Sequence, residues 1–236
     1  MNRTVVAVVL VLAVLGGGAA WWFSQGTEAP TADATAPPLQ TTTTLAADAP
    51  TETEPVGEVS DPATVYALTG ASRASFTIDE ELRGTPSTVV AVSTIVLGEI
   101  LFDSEDPASV EIGTILVNAR DFTTDSANRN RAIRGPILDV DNFEFIEFVP
   151  TSVDGLAVSD EPSAFTLSGD LTIREVTNPV TFEVTAKLNE DRTISGMAVA
   201  EVDRTDWGLN IPSAPGVANV SEMVTLTLDF VAAPIA

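Results

Sequence analysis

The sequence predicts an all-β domain, an antiparallel sandwich or barrel, over residues 64–236, behind an apolar N-terminal segment and a polar linker. Three observations predict it. Apolar residues recur with period two rather than 3.6, which places one side of each strand on an interior and the other in water. Turn-forming residues fall between the alternating stretches. A single stretch carries helix signals, so the pattern is that of many strands and few helices.

The first segment is residues 1–23. After Met1, Asn2 and Arg3, residues Thr4 to Phe23 run for 20 positions without a charge, about the length that spans the hydrocarbon layer as a helix. Arg3 favours keeping the N-terminus in the cytoplasm, and Trp21 and Trp22 sit where an outer aromatic belt would lie. The reading is an uncleaved transmembrane anchor. The alternative is a cleaved signal peptide with its core at Val5 to Leu15 and Gly18-Ala19-Ala20 as the cleavage site. Either way the remainder is expected outside the cytoplasm, membrane-tethered or secreted.

Residues 24–63 follow. They hold 9 Thr, 8 Ala, 6 Pro and 7 acidic residues with no Lys or Arg. Such a segment buries too little apolar surface to offset its ordering entropy and is expected to be a disordered tether. Forty flexible residues give a reach on the order of 35 Å.

The strand signals then come in chain order. Phe76 and Ile78 alternate with Ser75, Thr77 and Asp79. Phe165, Leu167 and Gly169 alternate with Thr166 and Ser168. Val180, Phe182, Val184, Ala186 and Leu188 alternate with Thr181, Glu183, Thr185 and Lys187. Val224, Leu226, Leu228 and Phe230 alternate with Thr225, Thr227 and Asp229. Turns are read at Asp103 to Pro107, Gly155, Ser159 to Pro162 and Asn189-Glu190-Asp191. The one helix lies in Asp125 to Gly135, with Thr124 or Asp125 as N-cap and Gly135-Pro136 as stop. Its Arg129, Arg131 and Arg134 suit a helix C-terminus, which makes a dipole-stabilised surface helix the simpler reading and a positively charged lip for a polar head group the functional one.

Composition removes several chemistries. The chain has no Cys and no His, 34 acidic and 11 basic residues, and a net charge of −23. Disulfides, thiolate zinc sites, imidazole metal sites and His-based triads are excluded. Nucleic acid is an unsuitable partner, because phosphate binding needs concentrated cations. No catalytic constellation emerges. Lys187 falls on the solvent side of its strand, and the pairs Glu80 with Glu81, Glu105 with Asp106 and Asp139 with Asp141 have no distinguishing spacing. Asp103-Ser104-Glu105-Asp106 and Asp139-Val140-Asp141 do not fit a calcium loop and read as solvated turns, so no metal is expected. Arg204 is expected to pair with Asp203 or Asp206 and pin the turn that leads to Trp207 and Gly208, with a place for Trp207 at a cavity mouth as the functional alternative.

Residues Gly169-Asp170-Leu171-Thr172-Ile173-Arg174-Glu175-Val176-Thr177-Asn178-Pro179-Val180-Thr181 resemble the Gly-Asp-Leu-Thr-Ile-x-Gly-Val-Thr-x-Pro-Val signature of YceI-like domains. Four further segments agree in order: Tyr66 to Phe76, Thr124 to Ile133, Phe143 to Phe148, and Asp203-Arg204-Thr205-Asp206-Trp207-Gly208-Leu209. The resemblance covers residues 64–232. It implies an extended antiparallel eight-stranded barrel, similar to lipocalins, with one short helix and a long apolar cavity. It also implies non-catalytic binding, storage or transport of a long-chain isoprenoid lipid, polyisoprenoid or quinone-like, with no other cofactor. The inward set would be Phe76, Ile78, Phe148, Phe165, Leu167, Phe182, Val184, Leu226 and Leu228, and Arg129, Arg131 and Trp207 are the candidate residues of the cavity mouth. The alternative is a solidly packed domain of the cell envelope that acts through its surface; an enzyme acting on an isoprenoid is the weakest reading. The chain departs from the family at Arg129-Asn130-Arg131-Ala132, where the family segment often has Arg-Asp-x-His, at Ser72 or Arg73, where a His is also common, and at Glu144, which replaces a Pro. Any head-group contact or proton chemistry through those His residues is absent here.

Overall fold

Stretches whose apolar residues recur every second position fold as strands. The computed structural model describes residues 63–157 and 161–235. The expected anchor (1–23), the expected linker up to residue 62 and the first part of the Ser159–Pro162 turn lie outside the described residues. Among the described residues no helix is long and apolar enough to cross a membrane.

The strands are β1 (Thr64–Leu68), β2 (Arg73–Leu82), β3 (Thr85–Ser93), β4 (Val96–Leu97), β5 (Glu99–Phe102), β6 (Glu111–Ile112) and β7 (Ile115–Asn118). After a helical segment come β8 (Phe145–Asp154), β9 (Ser163–Ile173), β10 (Val176–Leu188), β11 (Ile194–Asp203), β12 (Val217–Ala218) and β13 (Met223–Pro234). Neighbours pair antiparallel in the order β4-β7-β8-β9-β10-β11-β13-β1-β5-β6, and β2 lies between β13 and β3. Strands near opposite ends of that path are joined in sequence: β4, at one end, and β5, next to the other end, are separated by Gly98 alone. A path tied together in this way must curl. The Val92–Thr123 bridge and the bonds from Asn118 N–H to Ile95 O and Gly113 N–H to Glu99 O hold the β3–β5 stretch along β6–β7. The continuous stretches are then β1–β2, β3–β5, β6–β7, β8, β9, β10, β11 and β13.

Where a stretch is interrupted, a small polar side chain is buried and takes over the missing backbone partner. Ser72 is fully buried between β1 and β2; its Oγ donates to Val231 O and accepts from Val231 N–H. Ser93 is fully buried at the end of β3 and donates to Asn118 O. Asn118 is itself buried, donating through Nδ2 to Glu144 Oε1 and accepting from Arg120 N–H.

Tight hairpins keep the strands in order. Arg83 (φ 53°) and Gly84 (φ 81°) join β2 to β3 with both residues left-handed, the geometry that matches the twist of the flanking strands. Helix α1 (Ala127–Ala132) begins one or two residues later than the sequence suggests, with Ser126 as N-cap. Thr124 is otherwise engaged: its Oγ1 accepts from Ser126 N–H and donates to Asn130 Oδ1. Nor does Gly135-Pro136 stop the helical segment, which widens into a π-turn over Ile133–Ile137. That widening accommodates a proline lacking an N–H.

Candidate functional site

The strands run alternately toward and away from one end of the sheet. At the first end lie the two termini of the domain, where Ile235 N–H donates to Val65 O, together with the 103–110 and 189–193 loops. At the distal end lie the Arg83-Gly84 hairpin, α1, and the segment from Arg204 to Glu222.

Between them the inner face of the sheet encloses a cavity of about 810 Å³. Alternation aims every second side chain inward, and antiparallel register sets these rows side by side: Leu226 opposite Phe76, Phe182 opposite Leu167, Val184 opposite Phe165. Phe76, Ile78, Phe148, Phe165, Leu167, Phe182, Val184, Leu226 and Leu228 all lie on the cavity wall. Phe148 meets Phe182 edge-on at 5.1 Å, and Phe76 meets Phe122 at 5.2 Å. Lys187 is exposed, yet at the end of β10 it also borders the cavity.

The proposed mouth residues separate. Arg129 lines the distal part of the cavity, where its Nη2 lies 2.8 Å from Glu80 Oε1 and its Nη1 donates to Asp125 Oδ1. Arg131 does not line the cavity; it is exposed and donates to Asn128 Oδ1. Two residues along a helix turn the side chain by about 200°, so both arginines cannot face one cavity. Trp207 is on the wall but is 3 % exposed, held inside by its Nε1–H donating to Leu171 O; it is an interior residue rather than a lip. Ala132 occupies the wall where the family segment often carries His.

Arg204 pins its turn, though not through a carboxylate. Its guanidinium donates to Leu209 O and Ser221 O. Asp203 instead caps the turn, and hydrogen bonds from the Thr205 hydroxyl and N–H hold its carboxyl below the ordinary carboxylate value. The acidic turns are also spoken for: Asp103 accepts from Glu105 N–H, Asp139 from Asn142 Nδ2, and Asp141 pairs with Arg120 at 2.8 Å. Among the described residues no group of three or more acidic, His or Cys side chains is placed to hold a metal.

Two parts of the wall were not anticipated. Glu80 follows Phe76 and Ile78 on the inward row of β2, and its side chain is 7 % exposed. The segment after Trp207 covers the distal end with Leu209, Ile211, Ala214, Pro215, Val217 and Val220. It is stitched to the β2–β3 hairpin by Arg83 N–H to Gly216 O and by Asn219 Nδ2 to Glu81 Oε2. A signal existed, since Asn210 to Ser221 contains no charged residue in a chain that is 19 % charged.

A profile of the YceI-like domain matches residues 66–232. Among solved structures, BcnA of Burkholderia cenocepacia superimposes with a TM-score of 0.57 at 18 % identity, covering 70 % of this chain and 99 % of that one. A polyisoprenoid binding domain from Saccharophagus degradans gives 0.55 at 12 % identity, covering 73 % and 99 %. None of the curated proteins compared matches the chain.

Proposed function

The chain belongs to the YceI-like domain family, and from that membership and the shape of its interior we propose that it binds a long-chain isoprenoid lipid without turning it over. The observation that carries this is the apolar cavity. Its volume of about 810 Å³ falls in the range of ligand sites, and its wall is built from continuous inward rows of Phe, Leu, Ile and Val. A solidly packed interior leaves few voids larger than a water molecule, so an apolar space of about 810 Å³ argues against the solidly packed reading. The Saccharophagus degradans relative, described as polyisoprenoid binding, supports the choice of ligand class.

The N-terminal 63 residues support a membrane-tethered, extracytoplasmic setting, with an apolar anchor and a tether long enough to bring the domain to the bilayer surface. Without His or Cys on its wall, the cavity suits holding and releasing a lipid rather than reacting with it.

Solvent extraction and mass spectrometry of the full chain, purified from a host that exports it, test the reading. The expected result is a prenyl-chain lipid at close to one per chain. A chain that carries no such lipid and takes up no added polyprenol would overturn it.

A further inference from the structure

A carboxylate interrupts the apolar inward row of β2. Glu80 follows Phe76 and Ile78 there, lines the cavity, and has a side chain more than nine-tenths buried. Only one of its two oxygens is used. Oε1 accepts from Arg129 Nη2 at 2.8 Å, while Arg129 Nη1 is turned to Asp125 Oδ1. A carboxylate that served only to pin α1 would take the guanidinium with both oxygens, the fork geometry such pairs favour. Among the described residues no hydrogen bond reaches Oε2. Nor is Oε2 sealed in by packed protein, for the buried side-chain nitrogens and oxygens without a partner among the described residues are the Nε atoms of Arg120, Arg134 and Arg174. The polar neighbours on the same wall are occupied. Ser126 caps α1, Asn128 accepts from Arg131, and Arg204 donates to Leu209 O and Ser221 O. Glu80 therefore presents a spare acceptor to the cavity, and a buried acceptor without a donor is costly to keep.

We propose that Glu80 Oε2 accepts a hydrogen bond from a hydroxyl on the head of the bound lipid, so that the protein selects an isoprenoid alcohol or phenol over an ether, a quinone or a phosphate ester. This rests on the lipid-binding reading and adds to it the chemistry of the head group. A hydroxyl supplies the missing donor, and its bond to a carboxylate is charge-assisted and strengthened where water is excluded. An ether or a quinone brings acceptor oxygens alone, which meet the carboxylate lone pair to lone pair. A phosphate brings negative charge to two carboxylates, Glu80 and Asp125, that share one guanidinium. The other cations of the wall at this end answer it weakly: Arg83 is exposed to water, and Arg204 is committed to its two carbonyls. Arg129 acts as a positioning residue, holding Oε1 so that Oε2 is left to the lipid.

The test is a competition. The full chain in detergent is offered geranylgeraniol, its methyl ether and geranylgeranyl phosphate in pairs at equal concentration, and the bound species are counted by native mass spectrometry. The expected result is that the wild type retains the alcohol over the ether, and over the phosphate, by about tenfold or more. Glu80→Met removes the acceptor and brings the alcohol-to-ether ratio to about twofold or less. Glu80→Gln, the closest in shape, keeps a neutral acceptor and gives an intermediate ratio. The wild-type ratios need no variant to fold. Equal retention of alcohol and ether by the wild type is what a water on Oε2, or a head group held elsewhere, gives; it overturns the assignment and leaves lipid binding standing. A preference for the phosphate does the same, as does a ratio that neither variant changes. Retention of none of the three by the wild type overturns both readings.

Discussion

Gly169 opposes Pro150 on β8 and Val180 on β10, and the ring of Phe148 lies across it. A Cβ there would come within 2.5 Å of Phe148 Cζ and of Val149 O. The bare backbone is what lets Phe148 reach Phe182 and close that part of the cavity wall. Gly169→Ala must therefore push either the ring or the strand. A cost of about 1–3 kcal/mol is expected, typical of overpacking a tight site, read as a lower midpoint in thermal unfolding. Lipid occupancy should fall with it, because the displaced ring is a wall residue. An alanine variant with an unchanged midpoint would show that the ring yields freely. Gly196 of β11 holds the same relation to Phe230 of β13. The sequence marked Gly169 as a member of a signature; it did not say which ring needs the space, because Phe148 is brought there from another strand.

Between elements, the contact of most consequence joins β2 to α1 through Glu80 and Arg129. Glu80 has a side chain 7 % exposed and Arg129 one of 21 %. Removing Arg129 leaves the Glu80 carboxylate poorly solvated, which costs about 3–5 kcal/mol when burial is complete and less here, whereas removing Glu80 leaves Arg129 its ion pair with Asp125. Arg129→Met should destabilise by roughly 2–3 kcal/mol and Glu80→Met by less, while the double variant loses clearly less than the sum, by more than about 1 kcal/mol. Urea denaturation of the four proteins measures this, and additive losses would show that the pair is not coupled. The strand pattern already contained Glu80, two residues beyond Ile78 on the inward row, but an acidic residue at an inward position reads as solvated until the helix that neutralises it is placed. The start of α1 was blurred for a related reason: Thr124, Asp125 and Ser126 can each cap a helix, and tertiary bonds to Asn130 decide among them. Arg204 was legible as a pin, whereas its carbonyl partners depend on a loop the sequence does not locate.

For the whole molecule, residues 64–236 carry 27 acidic and 10 basic side chains. Such a surplus repels itself in the compact state, and salt screens it within about 10 Å at 0.1 M. The thermal midpoint should rise as sodium chloride increases from low to moderate concentration; a flat or falling dependence would mean that ion pairs outweigh the repulsion. Strands β9, β10 and β13 were legible because their alternation runs long and unbroken. The β4 to β7 region was not, since Ser93, Asn118 and the turns around them chop it into pieces of two to four residues that no periodicity can reveal. The sheet closes where β13 docks against β1 and β2, and the contacts that seal it, such as Thr69 to Val231, span 162 residues of sequence. Chain synthesis delivers β13 only after the other strands of the domain. Until then the greasy interior is a trough rather than a tube, open along its whole side. Assembly thus offers a moment at which an apolar chain can be laid in sideways, before the final stave shuts.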